Sequence, residues 1–482
     1  MVRNKDQSVG HFHVPIRRCS AEELHDTLGG LERVGAGRLG LRLAGLLREL
    51  LRTGGLPAGT LMPPSRSVAE TFGVSRGVVV TAYEQLLAEG FLIARQGAGT
   101  RVADSLTAAT PSVMPSLPPP MARPGLPDLG GFPRARWLAA YRHVLMNMSS
   151  ADFGYGDPRG HQQLRAELAV YLRRTRGSVI DPERVVVVNG VAEGLALLGD
   201  VVAASGRPRI GVEDPASPGA RELMARRGLA VVGVPVDGEG IVVDAIREPG
   251  RLGAILLTPA HQYPTGVILS PARRHALIEL ACEHRVLLVE DDYDGAFRYA
   301  RDPVGCLQGL APDVTVLLGS VSKTLAPALR LGWLVAPRAW QEQLVARRVV
   351  TSLAGQAVDE LAFAHLLLTG GYDIHVRQMR RRYHKRRMHL VAELDAAEPE
   401  VVVRGDASGL HLLAELPQRV CEHAVLSSLR LNGFDVQGLA ECRVVCPPDA
   451  PGGLVIGYAS LSPGSITRLV SVLSQAIGKL VR

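Results

Sequence analysis

The chain has 482 residues, of which 46% are hydrophobic and 21% are charged, and these values predict a globular protein with roughly three units of core. Its six scattered cysteines have no tight pairing, which indicates reduced thiols in a cytosolic protein rather than a disulfide framework. The N-terminus lacks the apolar core of a signal peptide. The most apolar window, residues 185–204, is interrupted by Asn189, Glu193 and Asp200, so we expect no membrane span.

The net charge of +7 is concentrated near the N-terminus. Residues 1–103 hold 13 Lys and Arg against 9 Asp and Glu, so more than half of the excess lies in about a fifth of the chain. This balance permits nucleic-acid binding but does not prove it. Residues 1–37 show no clear period, and the sequence assigns them no structure.

A helix-turn-helix is predicted within residues 38–103. The first helix carries leucines on one face and ends at Gly54-Gly55. Ser65 is expected to cap a short second helix that ends near Phe72. The leucines of the first helix are Leu39, Leu43, Leu46, Leu47 and Leu50.

The third helix of this block has an N-terminus suited to DNA. Ser75 is expected to cap it, and its apolar stripe turns Arg76 and Gly77 outwards. Free N–H groups at a helix start favour phosphate, and an arginine there can bind a phosphate or the acceptors of a guanine. Strands at residues 91–93 and 100–102 then predict a β-hairpin wing. The alternative is a small helical domain that docks a protein partner, which the wing and the arginines disfavour.

The sequence LPAGTLMPPSR, GVSRGVVVTAYEQLLAEGF and RQGAGTRV resembles the GntR-type winged helix over residues 39–102. The resemblance implies binding to double-stranded operator DNA. The DNA contacts that it implies come from Arg66, Ser75, Arg76, Gly77, Gln96 and Gly97.

Residues 104–128 are rich in Pro, Ala and Ser, with PSLPPP at the centre, and predict a semi-extended linker. An α/β domain is expected over residues 129–482. Its apolar strand candidates mostly alternate with helical patterns, which indicates a mostly parallel sheet covered on both faces, followed by a smaller α+β subdomain. The strand candidates are residues 185–188, 209–212, 230–234, 254–257, 286–289, 314–318 and 331–335.

The stretch VTVLLGSVSKTLAPALRLGWLV, residues 314–335, contains Lys323 between two apolar strands. Partial burial lowers the pKa of an amine, and such a lysine can condense with a carbonyl. Nearby Ser320, Ser322 and Arg330 are donors suited to a phosphate. A carbonyl and a phosphate together suggest pyridoxal 5′-phosphate (PLP). An ordinary surface lysine explains this stretch alone about equally well.

Other features lie where strands of an open α/β sheet end, which is where such sheets carry their sites. The turn at Gly190, Val191 and Ala192 offers N–H groups for a phosphate, although many α/β turns look alike. Gln262 lies in the loop TPAHQYPTG, in which two prolines fix the backbone, so it is a candidate to contact the cofactor. In VEDDYDGAF, Asp291 can pair with a protonated pyridine nitrogen, although the three consecutive acids at residues 290–292 would equally suit Mg²⁺.

Together these motifs resemble the fold-type I PLP enzymes of the aspartate aminotransferase group. A GntR-type head on such a domain looks like the MocR/GabR family of bacterial regulators, whose versions of HQYPTG, EDDYDGAFRY and SVSKTLAPALRLGW are similar. The resemblance implies an α/β fold class, with an N-terminal winged helix-turn-helix, a large aminotransferase-like domain and a small C-terminal α+β subdomain. It also implies a cytoplasmic, head-to-tail, domain-swapped homodimer.

The resemblance further implies roles for single residues. Lys323 would form the internal aldimine, Asp291 would bind the pyridine nitrogen, and Tyr293 the ring hydroxyl. The phosphate would be held by Ser320, Ser322 and Arg330, and Tyr155 would reach the phosphate of the neighbouring subunit. No metal site is implied.

The sequence departs from the family where a ligand carboxylate would be held. Ser217 and Gly219 stand where GABA-responsive members have Tyr and Arg, and Val455 is the nearest match to the C-terminal arginine of aminotransferases. A bidentate arginine is the obvious way to hold a carboxylate. Loss of both clamps therefore argues against efficient transamination of an ordinary amino acid.

We accordingly expect a transcriptional regulator whose large domain senses PLP or a PLP–amine aldimine, in control of vitamin B6 or amine metabolism. The alternative is an active aminotransferase with an accessory DNA-binding head, and a residual half-reaction is compatible with the retained Lys323. A relic that has lost its cofactor is disfavoured, because Asp291, Tyr293 and Lys323 all survive.

Overall fold

The computed structural model describes residues 17–29, 39–95, 99–103, 121–299, 304–446 and 450–480. The chain divides into two compact units, with the boundary between Pro118 and Pro119. None of the described helices combines the length and the apolarity needed to cross a membrane.

The described part of the N-terminal unit consists of four helices and a β-hairpin around one apolar core. Helix α2 packs against α4, and the buried centre includes Leu43, Leu47, Val79 and Leu86. Leu51 rather than Leu50 completes the buried face of α2, which corrects the predicted stripe by one residue. The elements are α1 (Ala21–Leu28), α2 (Leu39–Arg52), α3 (Ser65–Thr71), α4 (Arg76–Ala88), β1 (Leu92–Arg95) and β2 (Gly99–Val102).

Helix α1 was not predicted, and it packs on this unit. Leu24 is 1% exposed in the same core, and the backbone N–H of Cys19 donates to the carbonyl of Leu61 at 3.0 Å. Ser20 caps α1 by accepting from the N–H of Glu23 at 3.0 Å. The packed unit therefore begins before residue 38, where the sequence pattern placed its start.

Two predicted caps differ in detail. Helix α3 starts at Ser65 itself, so Pro64 occupies the N-cap position and Ser65 is not the cap. Ser75 does occupy the N-cap position of α4, but its side chain makes no capping hydrogen bond among the described residues. The predicted wing is confirmed, with β1 and β2 antiparallel and Leu92 opposite Val102.

The C-terminal unit begins with structure that the sequence assigned to the linker. Residues 104–120 lie outside the described part of the chain, whereas residues 121–128 pack onto this unit. Ala122 is fully buried, and the N–H of Gly457 donates to its carbonyl at 2.9 Å.

The large sheet of this unit has the predicted α/β character. Four adjacent strand pairs are parallel, and β10 lies antiparallel between β3 and β9. All seven predicted strands are present, with bounds shifted by a few residues. The strand order is β3-β10-β9-β8-β7-β4-β5-β6. The strands are β3 (Val185–Val188), β4 (Arg209–Asp214), β5 (Ala230–Asp237), β6 (Gly240–Ile241), β7 (Ala254–Leu257), β8 (Leu287–Asp292), β9 (Thr315–Ser320) and β10 (Gly332–Val335).

Helices surround this sheet, and its central strands are buried because both faces are covered. The helices of this part are α5 (Arg134–Asn147), α6 (Gln162–Arg176), α7 (Val191–Ala204), α8 (Pro218–Arg226), α9 (Pro271–His284), α10 (Leu307–Leu310), α11 (Arg338–Ser352) and α12 (Ala357–Leu368).

The predicted small α+β subdomain completes the unit. Its four-stranded antiparallel sheet has the order β11-β12-β14-β13, and α13 packs against α16 beside it. Its elements are α13 (Gly371–Ala397), β11 (Val402–Arg404), β12 (His411–Glu415), α14 (Glu422–Leu431), β13 (Gln437–Gly438), α15 (Leu439–Cys442), β14 (Gly453–Gly457) and α16 (Pro463–Leu480).

Candidate functional site

A cavity of about 390 Å³ lies where β8 and β9 end and α7 begins. This is the edge at which an open α/β sheet places its ligands. Most of the predicted cofactor residues meet there. The lining residues are Pro124, Gly125, Val191, Ala192, Leu195, Ser217, Gly219, Ala220, Leu223, Thr258, Tyr263, Asp291, Tyr293, Ser320, Ser322, Lys323, Pro327 and Arg330.

Lys323 follows β9 in a tight loop and points into this cavity. Burial lowers the pKa of its amine, and the carboxylates of Asp291 and Asp294 oppose that effect. A lowered pKa leaves a larger fraction of the amine neutral, which is the nucleophilic form.

Asp291 lies near Lys323, and its carboxylate has no hydrogen-bonding partner among the described residues. Its Oδ1 atom is buried and makes no hydrogen bond among the described residues. Burial, with help from the neighbouring Asp292, raises the pKa of Asp291 to about 7, whereas Lys323 acts to lower it. A protonated pyridine nitrogen would relieve that unfavourable burial, so the orphaned carboxylate fits PLP.

The donors for a phosphate are also assembled. Val191 and Ala192 form the first turn of α7, and their N–H groups have no intrahelical partners because they open the helix. Arg330 lies across from them and donates from Nη2 to the carbonyl of Asn189 at 2.7 Å. A Cβ on Gly190 would lie 3.0 Å from Arg330 Nη2, so Gly190 leaves room for the guanidinium.

Two serines complete that donor set from the Lys323 loop. Ser320 is the last residue of β9, and Ser322 directly precedes Lys323. Both are buried cavity residues, and the N–H of Ser322 donates to Ser320 Oγ at 3.3 Å. This bond fixes the loop and leaves the Ser322 hydroxyl available to a ligand.

Three of the predicted cofactor residues, Gly190, Gln262 and Tyr155, do not line the cavity. Gln262 is 1% exposed, and its side chain is occupied by hydrogen bonds to Thr265, Pro215 and the carbonyl of Tyr263. The amide therefore stabilises the loop rather than facing a ligand, which corrects the role that we predicted. Tyr155 is 90% exposed and contacts no ligand site of its own chain in the described residues.

The expected carboxylate clamps are absent from the described cavity. Ser217 caps α8, and Gly219 follows in its first turn, so neither carries a cation. Val455 is fully buried in β14 and packs beside Tyr263. Arg330 is therefore the one arginine among the lining residues described, and the phosphate donors surround it.

Sequence reasoning missed two parts of the site. Pro124 and Gly125, from the end of the predicted linker, form one wall of the cavity. His261, Asp294 and His411 form a buried polar cluster behind Tyr293. His261 and Asp294 lie in HQYPTG and EDDYDGAFRY, two motifs that carried the family resemblance, which is the signal that could have found them.

The predicted DNA-binding residues lie on one stretch of the N-terminal unit. Arg66 on α3 is exposed, as are Ser75, Arg76 and Gly77 at the start of α4. Arg76 Nε lies 3.4 Å from Ser65 Oγ, which keeps its guanidinium near the N-terminus of α3. Gln96 and Gly97, predicted in the wing, lie outside the described residues.

Comparison with known proteins agrees with this two-part architecture. Residues 39–102 match the family of bacterial regulatory proteins named gntR, and residues 127–473 match aminotransferase class I and II. The HTH-type pyridoxine biosynthesis transcriptional regulator PdxR of Corynebacterium glutamicum is 34% identical over 89% of this chain and 94% of its own length. The probable rhizopine catabolism regulatory protein MocR of Rhizobium meliloti is 31% identical over 89% and 92%.

Solved structures show the same fold for the larger unit. Kynurenine aminotransferase of Pyrococcus horikoshii superposes with a TM-score of 0.69 at 22% identity, covering 75% of this chain and 91% of its own. LysN, an alpha-aminoadipate aminotransferase of Thermus thermophilus, superposes with a TM-score of 0.68 at 24% identity, covering 75% and 92%.

A winged helix joined to an aminotransferase-like sheet defines a DNA-binding transcriptional regulator with a PLP-binding domain. The chain belongs to the MocR-type regulators, in which a gntR helix-turn-helix domain is fused to an aminotransferase class I and II domain. The predicted fold class, family and cofactor are thereby confirmed.

Proposed function

We propose that the large domain senses PLP, or a small amine together with PLP, and that this controls the binding of the winged helix to operator DNA. The observation that carries the proposal is the cavity itself. It joins Lys323, the unpartnered Asp291 and a phosphate seat, and it offers no second arginine for a substrate carboxylate among the described lining residues. The PdxR relative is named for pyridoxine biosynthesis, which supports PLP as the signal.

The roles of the residues follow from their positions. When bound, PLP supplies an aldehyde that reacts with primary amines. Lys323 would offer its amine to that aldehyde, and Asp291 would keep the ring nitrogen protonated. The first turn of α7, Ser320, Ser322 and Arg330 would bind the phosphate, and Tyr293 would orient the ring hydroxyl, since all of them line the cavity.

We further propose that the protein acts in the cytoplasm as a head-to-tail, domain-swapped homodimer. The exposed ring of Tyr155 supports this, because it is free to reach the phosphate bound by the other protomer. Residues 38–103 would bind DNA, the first part of the predicted linker 104–128 would connect the two units, and residues 129–482 would sense PLP together with residues 121–128, which pack on them. A dimer presents two winged helices to two half-sites, and Arg66, Arg76 and the wing at Gln96 and Gly97 would contact them.

The first test locates the PLP attachment. The chain has four lysines, and Lys385 is exposed on α13, so it is a matched control for Lys323. Borohydride reduction of the PLP-loaded protein, followed by peptide mapping, should place the pyridoxyl group on Lys323. Lys323→Ala should lose the visible absorption band, and Lys385→Ala should keep it. A band that survives in Lys323→Ala would refute the site.

The second test measures regulation. A binding site is first selected from random duplex DNA, and its affinity is then measured by fluorescence anisotropy at fixed salt. PLP should change the affinity of the parent and of Lys385→Ala, but not of Lys323→Ala. Steady-state assays with amino and keto acids address the aminotransferase alternative. Turnover that depends on Lys323 would favour an enzyme over a sensor.

A further inference from the structure

A buried polar cluster packs against Tyr293 and does not itself line the cavity. His261, Asp294 and His411 are each at most 3% exposed, and their ligating atoms lie within 4.8 Å of one another. They come from the loop after β7, the loop after β8 and the first residue of β12. Buried groups of this kind are costly unless they serve one another or a ligand.

Hydrogen bonds connect this cluster to the Tyr293 hydroxyl. His261 Nδ1 lies 2.9 Å from Asp294 Oδ2 and 3.1 Å from Tyr293 Oη. Tyr293 donates its own proton to the carbonyl of His261 at 2.9 Å. The tyrosine oxygen thus faces both the backbone and the imidazole of one residue.

The number of available protons determines which group donates in each hydrogen bond among Tyr293, His261 and Asp294. The single phenolic proton of Tyr293 goes to a carbonyl, so the short contact to His261 Nδ1 requires a proton on that nitrogen. A carboxylate at Asp294 selects this tautomer, because it can only accept. The N–H of His261 is therefore shared between Asp294 and the oxygen of Tyr293.

The backbone at Gly409 packs closely against the pair formed by His261 and Asp294. Gly409 has a φ of +75°, and a Cβ there would come within 2.2 Å of His261 Cε1 and 2.5 Å of Asp294 Oδ2. The ring of His411 lies nearly parallel to that of Tyr293, at 24°. Burial, followed by the nearby imidazole of His261, lowers the pKa of His411 well below its usual range, so this ring is neutral.

We propose that Asp294 and His261 are positioning residues that set the proton of the Tyr293 hydroxyl for donation to the ring oxygen of bound PLP. His261 supports the tyrosine oxygen by donating to it, and Asp294 keeps His261 in the donating tautomer. Tyr293 can then turn its proton from the His261 carbonyl to the cofactor. The inference rests on the proposed PLP site and deepens it.

The proposal is tested on the PLP-loaded full-length protein by following its visible absorption against pH. A hydrogen bond to an ionised ring oxygen favours ionisation, so its loss raises the pH midpoint of the absorption change. In Asp294→Asn the amide NH₂ can face His261 Nδ1 and move the ring proton to Nε2. Tyr293 then donates to His261 instead of the cofactor, and we expect a midpoint about one pH unit higher.

Other titratable groups also lie near Tyr293, so further variants are needed to assign the absorption change to the Tyr293 hydroxyl. Tyr293→Phe should raise the midpoint at least as far, and adding Asp294→Asn to it should give no further rise, because the upward shift acts through one hydroxyl. Asp406→Asn is a matched control, since Asp406 is exposed and its carboxylate lies 3.9 Å from Arg298 Nη2. The ionisable groups that face Tyr293 are Glu213, His261, Tyr263, Asp291, Asp294, His411 and Lys323.

His261→Phe gives a second variant in case Asp294→Asn does not fold, and its midpoint should move in the same direction. Unchanged midpoints in the folded variants would overturn the positioning role of Asp294 and His261 and would leave the proposed PLP binding unaffected. A full additional rise in the Tyr293→Phe background would overturn that role as well. One equivalent of zinc in the purified protein would show that the cluster is a metal site instead. If the parent shows no visible absorption band that depends on Lys323, both the positioning role and the proposed function are overturned.

Discussion

Gly125 passes directly beside the amine of Lys323. A Cβ built on Gly125 would lie 3.0 Å from Lys323 Nζ, and the φ of Gly125 is +72°. The segment is fixed there, because the carbonyl of Met121 accepts from Asp435 N at 2.7 Å, and the carbonyl of Ala122 accepts from Gly457 N. The chain thus enters the large unit by passing the residue on which the proposed sensing depends.

Gly125→Ala should weaken PLP binding by roughly tenfold. The new methyl group presses on the Lys323 side chain, and a tenfold loss corresponds to about 1.4 kcal/mol of binding free energy. The left-handed backbone also costs an L residue about 1–2 kcal/mol, and that strain lowers the stability of the fold. The dissociation constant for PLP, from absorbance or fluorescence titration, measures the effect.

Gly206→Ala separates strain from contact. Gly206 has a φ of +83°, and a Cβ added there would meet nothing within 4 Å, so only the backbone strain applies. This variant should lose stability without losing PLP affinity. Equal PLP affinities in the two variants would rule out a role for the contact between Gly125 and Lys323.

Much of the fold could be predicted because it depends on local patterns. Apolar runs such as residues 185–188 and 254–257 are short, β-branched or leucine-rich, and bounded by turns, so each strand is visible in the sequence. Asp291 and Lys323 could be proposed as site residues because Asp291 lies at the end of β8 and Lys323 lies just after β9. Because β8 and β9 are adjacent parallel strands, the two residues meet at the same edge of the sheet.

The remaining features depend on contacts between distant segments. The position of Gly125 over Lys323 and that of His411 behind Tyr293 follow from how the small subdomain packs on the large one. Gln262 looked like a ligand because it is a polar residue in a rigid loop. Only the folded loop shows that Thr265 and Pro215 already use its amide.

Asp291→Asn should make the unfolding free energy of PLP-free protein less dependent on pH. The folded pKa of Asp291 is raised to about 7 from 3.8, so the folded state holds this proton where the unfolded state has lost it. Stability is therefore lost as pH rises from about 4 to 7, with a slope of at most about 1.4 kcal/mol per pH unit from this group. Denaturant titrations at several pH values measure the slope.

The same variant tests the role of the carboxylate in binding. A neutral amide in place of the Asp291 carboxylate cannot supply the negative charge that keeps the ring nitrogen protonated, so PLP affinity should fall at pH 8, where the parent carboxyl is ionised. Glu290→Gln is the neighbouring control, since Glu290 is buried with a pKa raised to about 7 but does not line the cavity. Equal PLP affinities for Asp291→Asn and the parent would contradict the assignment.

Arg76→Ala should weaken binding to the selected operator by roughly 1–3 kcal/mol and relax base choice if the side chain binds a guanine. Its exposed position at the start of α4 places it where a recognition helix meets the groove. If it binds a phosphate instead, affinity should fall uniformly and the salt dependence should decrease by about one ion. Arg251→Ala, an exposed arginine of the other unit, is the control. Unchanged affinity at fixed salt would remove Arg76 from the interface.

Asp128 anchors the segment that carries Gly125. Its carboxylate accepts from Arg382 Nη1 at 2.8 Å and lies 3.0 Å from Arg386 Nη2, and its N–H donates to the Tyr383 hydroxyl at 2.9 Å. Although burial acts to raise it, the two guanidinium groups hold the pKa of Asp128 below its usual value. Asp128→Asn should therefore destabilise the large unit by about 1–3 kcal/mol at pH 7.

The pH dependence of that loss has a definite sign. A depressed folded pKa contributes stability above the unfolded pKa of about 4, and this contribution disappears as pH falls through the lower folded value. The difference between parent and Asp128→Asn should thus shrink at pH 3, whereas exposed Asp406→Asn should differ little from the parent at either pH. Because Asp128 holds the segment over Lys323, Asp128→Asn should also bind PLP a few-fold more weakly. A stability loss with unchanged PLP affinity would show that the anchor and the cavity wall are independent.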